Sequence, residues 1–152
     1  MYARQRREDG ASCMLVALCN ARRYYGLRAP RSGSARFRDL RERAGCVFGA
    51  CIDIRLLCRE LGLRRYRIEP ANTHQHLPTI LPVLVPGVGF HAALAVGGSS
   101  SRLVLVNYWS WKGPLIAEVP WTDIRMHRRG NVNRKAWTIE PSCGAISARR
   151  GT

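Results

Sequence analysis

The sequence predicts an α+β fold in which N-terminal helices pack on one side of a C-terminal antiparallel β-sheet. Two observations set this layout: apolar side chains recur at helical spacing as far as Gly62, and the period then shortens to that of strands. A third sets the scale. With 152 residues and 46% hydrophobic content, the chain can bury one core and is too short for two. The expected organisation is a single domain over residues 1–140 followed by a loose tail over 141–152 that begins at Pro141.

The first helix is expected from Ala11 to Tyr25, with Met14, Leu15, Leu18, Ala21 and Tyr25 inward, Ser12 as N-cap and Gly26 as terminator. A loop rich in Arg, Pro, Ser and Gly leads to a short second helix with Phe37 and Leu40 on one face, stopping near Gly45. A third runs from about Asp53 to Leu61, with Ile52, Leu56, Leu57 and Leu61 inward, and ends at Gly62. Strands are expected at 66–68, 79–85, 90–96, 103–107, 115–119 and 136–139. The run Gly97-Gly98-Ser99-Ser100-Ser101 joins two of them as a hairpin loop.

Several classes are excluded or narrowed by composition. The longest apolar runs are broken by Pro82, Pro86, Gly87 and Gly89 and fall short of the roughly 20 residues needed to cross a bilayer, so no membrane span is expected. The N-terminus has positive charge without a following apolar stretch and small-residue cleavage site, which argues against a signal peptide. The six cysteines then read as thiols in a reducing, cytoplasmic compartment. None forms a Cys-x-x-Cys pair, even with His74 and His76 nearby, so no metal and no cofactor are expected. The net charge of +15, nearly all from arginine, suits a polyanion or an acidic protein partner, or reflects arginine in place of surface lysine. The eight arginines from Arg22 to Arg43 are expected to form a contiguous basic patch.

Three residues carry candidate chemistry. A thiol becomes a nucleophile when its thiolate is stabilised, and the start of a helix next to an imidazole does this. Cys13 follows Asp9-Gly10-Ala11-Ser12 and begins the first helix, near unsatisfied backbone amides. His91 opens one strand and Asn107 ends the next, so pairing through the loop at 97–101 puts base and orienting partner side by side. Taken singly, each has an ordinary reading: a packed cysteine, a core histidine, a turn-forming asparagine.

Together, their order resembles the papain-like cysteine peptidases that remove leaders from bacteriocins, at double-glycine sites, and their stand-alone relatives. The segment from Asp9 to Gly26 resembles the family's nucleophile helix, which ends in Tyr-Tyr-Gly or similar, here Tyr24-Tyr25-Gly26. Residues Gly49 to Leu63, ending in Leu61-Gly62-Leu63, are similar to its second block, and Gly89 to Gly97 to its base strand. Asn107 stands where the family carries Asp or Asn, and Val119 to Ile124 resembles its closing segment, so the likeness spans roughly residues 9–125. The resemblance implies a papain-like fold in which Cys13 attacks, His91 shuttles the proton and Asn107 orients the imidazole. Two positions depart from the pattern: Met14 stands where glycine usually follows the cysteine, and Gln5, the only upstream glutamine, precedes Cys13 by eight positions where the family usually has about six. Gln5 is the candidate oxyanion donor, with backbone amides near Cys13 as the alternative; losing one such donor costs about a hundredfold in rate.

The expected function is therefore a thiol hydrolase acting on a peptide or isopeptide bond of a peptide or protein substrate, or an acyl transferase when an amine replaces water. The alternative is a weak or inactive member of the fold that serves as a binding subunit through its arginine-rich surface. Tyr108, Trp109 and Trp111 either line the substrate groove or cap the core beside the triad.

Overall fold

Polar caps and glycines fix where the helices begin and end. In α2 (Ala35–Arg43) the Ser34 hydroxyl accepts the Phe37 N–H, and in α3 (Ile54–Glu60) the Asp53 carboxylate accepts the Leu56 N–H. The first helix, α1 (Cys13–Tyr24), closes with the Leu27 N–H on the Arg22 carbonyl and Gly26 at φ 72°, a left-handed cap that glycine adopts without strain. It begins two residues later than its apolar pattern suggests, because Arg7–Ser12 winds into a 3-10 segment ahead of it. The computed structural model describes residues 1–47, 50, 51, 53–127 and 135–142; the expected inward side chain of Ile52 and most of the expected tail lie outside them. Pro141 itself ends a strand, and the Ser142 N–H bonds the Gly62 carbonyl.

A two-stranded ribbon, β1 (Cys46–Val47) with β2 (Ala50–Cys51), precedes α3 and has no counterpart in the sequence reading. The main sheet contains β3 (Leu63–Ile68), β4 (Thr79–Val85), β5 (Gly89–Gly98), β6 (Arg102–Val106), β7 (Ile116–Pro120) and β8 (Ala136–Pro141). Its order is β3-β8-β4-β5-β6-β7 and every pair is antiparallel. The expected β5–β6 hairpin pairs Leu94 with Val106, and its register shifts at a bulge between Ala95 and Gly97.

The sheet is apolar on both faces. Ile80, Ala92, Leu94, Val106 and Ile139 join the core built around α1, while Leu81, Val83, Ala93, Leu103, Leu105 and Tyr108 form a second cluster. Residues Leu15 to Ala21 of α1 are buried all round, because the helix lies on β5 with the 3-10 segment and α3 against its other sides. This is why its apolar character is broader than the single stripe expected.

One expectation is corrected. Cys46 is disulfide-bonded, whereas Cys13, Cys19 and Cys58 are thiols, so the cysteines are not uniformly reduced. Within the basic segment, Arg22 and Arg23 bond main-chain carbonyls around the end of α1, and Arg36 and Arg43 both reach Asp39 and Glu60. No described helix is long and apolar enough to cross a membrane.

Packing of α1 on the sheet sets a stability prediction. Leu18→Ala empties a fully buried site and should cost about 2–5 kcal/mol, lowering Tm by roughly 5–15 °C. Leu84→Ala, at a half-exposed position, should change stability by about 0.5 kcal/mol or less. Thermal unfolding of the two variants against the parent chain checks both; equal shifts would contradict the assigned core.

Candidate active site

The start of α1 lacks a side-chain cap. Ser12 occupies the N-cap position as expected, but its hydroxyl donates to the Asp9 carbonyl and leaves the first helical amides uncapped. The backbone amides of Ala92, Met14 and Cys13 act on the Cys13 sulfur and favour its thiolate. Ala92 is the residue after His91 in β5, so the sulfur sits where the helix start meets the beginning of that strand.

His91 pairs with Val83 across β4–β5 and is 5% exposed. Its Nε2 lies 2.6 Å from the main-chain carbonyl oxygen of Asn107. A carbonyl can only accept, so Nε2 carries the hydrogen and, in the neutral ring, Nδ1 is left as the proton acceptor. The same carbonyl accepts the Ser110 N–H at 2.9 Å, and the Asn107 N–H donates to Leu115 at 2.8 Å. Asn107 has φ 55°, a left-handed conformation that asparagine tolerates better than most residues.

The pairing of β5 with β6 does bring Asn107 to His91, but through its backbone. The side chain turns to the N-terminal segment: Oδ1 accepts the Gln5 N–H and Nδ2 donates to the Ala3 carbonyl, each at 2.9 Å. The ring therefore meets the Asn107 main chain, while the Asn107 side chain meets the N-terminal segment. The cause is local, since the left-handed turn points the carbonyl at the imidazole and the side chain away from it.

Gln5 is 1% exposed, and its amide nitrogen makes a long 3.4 Å contact with the Asp9 carbonyl while Oε1 has no hydrogen-bond partner among the described residues. A 3-10 segment, Arg7–Ser12, lies between Gln5 and Cys13. Asp9 is equally buried and is held by the Arg6 amide and guanidinium and by Ser32, fixing the loop that leads to Cys13. Sequence reasoning missed Asn20, whose amide brackets Ala3; a buried asparagine inside a helix, where it is a poor helix former, was the available signal.

The aromatic residues divide. Tyr108 is 2% exposed and belongs to the core cluster, so it is a packing residue and not a groove wall. Trp109 packs against that cluster edge-on to Tyr108, and half-buried Trp111 lies under the Lys112 ammonium. Phe90, which sequence reasoning passed over, is exposed next to His91 in the chain and meets His127 edge-on. No group of three or more His, Cys, Asp or Glu among the described residues is arranged to hold a metal ion.

Burial dominates the electrostatics. It pushes the Cys13 thiol above its usual range, against the three amides that favour the thiolate, and holds the His91 imidazole below its usual range, against the Asn107 carbonyl. Both shifts favour the neutral form of the group concerned. Cys19, deeper in α1, is pushed up to about 12 and is an inert core thiol.

No protein-family model and no curated protein matches the chain by sequence. Solved structures do match its fold. The peptidase domain of Streptococcus ComA, a bifunctional ABC transporter involved in quorum sensing, superposes with a TM-score of 0.67 at 14% identity, covering 93% of this chain and all of that domain. A double-glycine-motif protease from an AMS/PCAT transporter, in complex with its leader peptide, gives a TM-score of 0.57 at 15% identity over 87% of this chain and 86% of its own. With its helices on one side of a six-stranded antiparallel sheet, the chain therefore has the papain-like fold of double-glycine peptidase domains.

Proposed function

We propose that this chain is a cysteine peptidase in which Cys13 is the nucleophile, His91 the general base and Asn107 the group that fixes the base. The observation that carries the reading is the Nε2–H to carbonyl bond, which holds His91 in the tautomer whose Nδ1 can take a proton. In the proposed reaction the Cys13 sulfur attacks the scissile carbonyl carbon as its proton passes to His91. The imidazolium returns that proton to the departing amine, leaving a thioester that water, or an acceptor amine, resolves. Gln5 supplies an oxyanion donor: its buried amide keeps one N–H beyond the contact with Asp9, and the helix-start amides add others.

The substrate proposed is a peptide cut after a double-glycine site, supported by the leader peptide bound to one of the proteins that share the fold. One observation favours a second reading, a catalytically weak member that serves in binding: Cys13 is 2% exposed and its thiol is stabilised in the protonated form. A polyanionic or acidic partner for that reading would have to use the arginines left outside the ion pairs, such as exposed Arg28, Arg31 and Arg38.

Cleavage of peptides containing Gly-Gly, followed by mass spectrometry, tests the first reading. Cys13→Ala should abolish product, His91→Ala should lower kcat/KM by about 10²–10⁴-fold and Gln5→Ala by about 10²-fold, with folding intact in each. Product formation that survives Cys13→Ala would exclude the proposed nucleophile. The pH dependence has a definite sign. Because the thiol lies above and the imidazole below its usual range, alkylation of Cys13 by iodoacetamide should climb with pH and still be rising beyond about 8.5, where free thiols titrate. A rate already on a plateau in mildly acidic solution would indicate a preformed thiolate–imidazolium pair instead.

A further inference from the structure

The segment Ala3–Gln5 is held from two sides by buried asparagine amides. Asn20, on the helix that carries Cys13, accepts the Ala3 N–H at 2.8 Å and donates to the Ala3 carbonyl at 2.9 Å. Asn107 donates to that same carbonyl at 2.9 Å and accepts the Gln5 N–H at 2.9 Å. Each amide thus presents a donor and an acceptor to the segment as a neighbouring strand would. Arg4 adds a third tie, to the Gly113 carbonyl at 2.6 Å in the loop that follows Asn107. The segment leads directly into the buried Gln5 side chain and the turn before Cys13. Every main-chain and side-chain polar atom of Asn107 is engaged, and only its carbonyl faces the imidazole.

We propose that Asn107 is a positioning residue with two separate duties, holding His91 through its main-chain carbonyl and the Ala3–Gln5 segment through its side-chain amide. The side chain therefore acts on the segment that presents Gln5, and the ring depends on the left-handed turn. The catalytic meaning of this arrangement rests on the peptidase reading above; the arrangement itself does not.

Glycine at position 107 separates the duties, because it keeps the carbonyl and adopts a positive φ freely while removing the amide. In Asn107→Gly, nitrogen NMR should still show His91 as the Nε2–H tautomer with an unchanged titration midpoint. Amide exchange at Gln5 should accelerate by about tenfold or more, since that N–H loses its acceptor. A His91 tautomer or midpoint that moves, with or without a change at Gln5, would overturn the proposal, as would an unchanged Gln5 exchange rate. Asn107→Asp provides the test if the glycine variant does not fold. Its carboxylate can accept from Gln5 but faces the Ala3 carbonyl without a donor, so exchange through Ala3–Gln5 should again accelerate while Nε2 keeps its hydrogen. Protected amides in that variant, or a lost Nε2–H, would contradict the division. Neither readout requires turnover, so failure of this inference and failure of the peptidase reading are distinguishable.

Discussion

The bond between the His91 imidazole and the Asn107 carbonyl is the constraint around which the candidate site is organised. It exists because β6 ends in a left-handed turn whose backbone is tied on both sides, by the Asn107 N–H to Leu115 and by the Ser110 N–H to the same carbonyl. The register of the β5–β6 hairpin sets the distance, and α1 lying on β5 brings the Cys13 sulfur to the Ala92 amide. A hydrogen bond to a carbonyl decides the tautomer without adding charge, which distinguishes it from a carboxylate partner that would also stabilise the imidazolium.

That distinction matters because Cys13 and His91 are both buried. Helix-start amides, uncapped by Ser12, favour a thiolate at Cys13, yet burial outweighs them and pushes the thiol above its usual range. The imidazole is disfavoured as a cation for the same reason. A substrate carbonyl that placed developing negative charge near these amides would receive the stabilisation that the resting thiol does not use, which is how preorganised donors assist acyl transfer.

Much of this was legible in the sequence because its signals are local. Gly26, Gly45 and Gly62 stop helices where left-handed caps are needed, and the Gly97–Ser101 run marks the hairpin that joins His91 to Asn107. What the sequence did not reveal depends on long-range placement. The insertion of β8 between β3 and β4 and the disulfide at Cys46 have no local signature. The turning of the Asn107 side chain toward Ala3 and Gln5 likewise depends on a contact across about a hundred positions. Tyr108 shows the limit of pattern reading: alternation alone does not say which face of a doubly apolar sheet a residue after the strand will join.

The central claim, that Cys13 and His91 act as one catalytic pair on this fold, is tested most directly by covalent capture. A peptide aldehyde ending in Gly-Gly should form a hemithioacetal with Cys13, observed as a carbon-13 resonance of the labelled aldehyde carbon. The account predicts that signal in the parent chain and its loss in both Cys13→Ala and His91→Ala. An adduct that persists without His91, or none in the parent chain at saturating aldehyde, would contradict it.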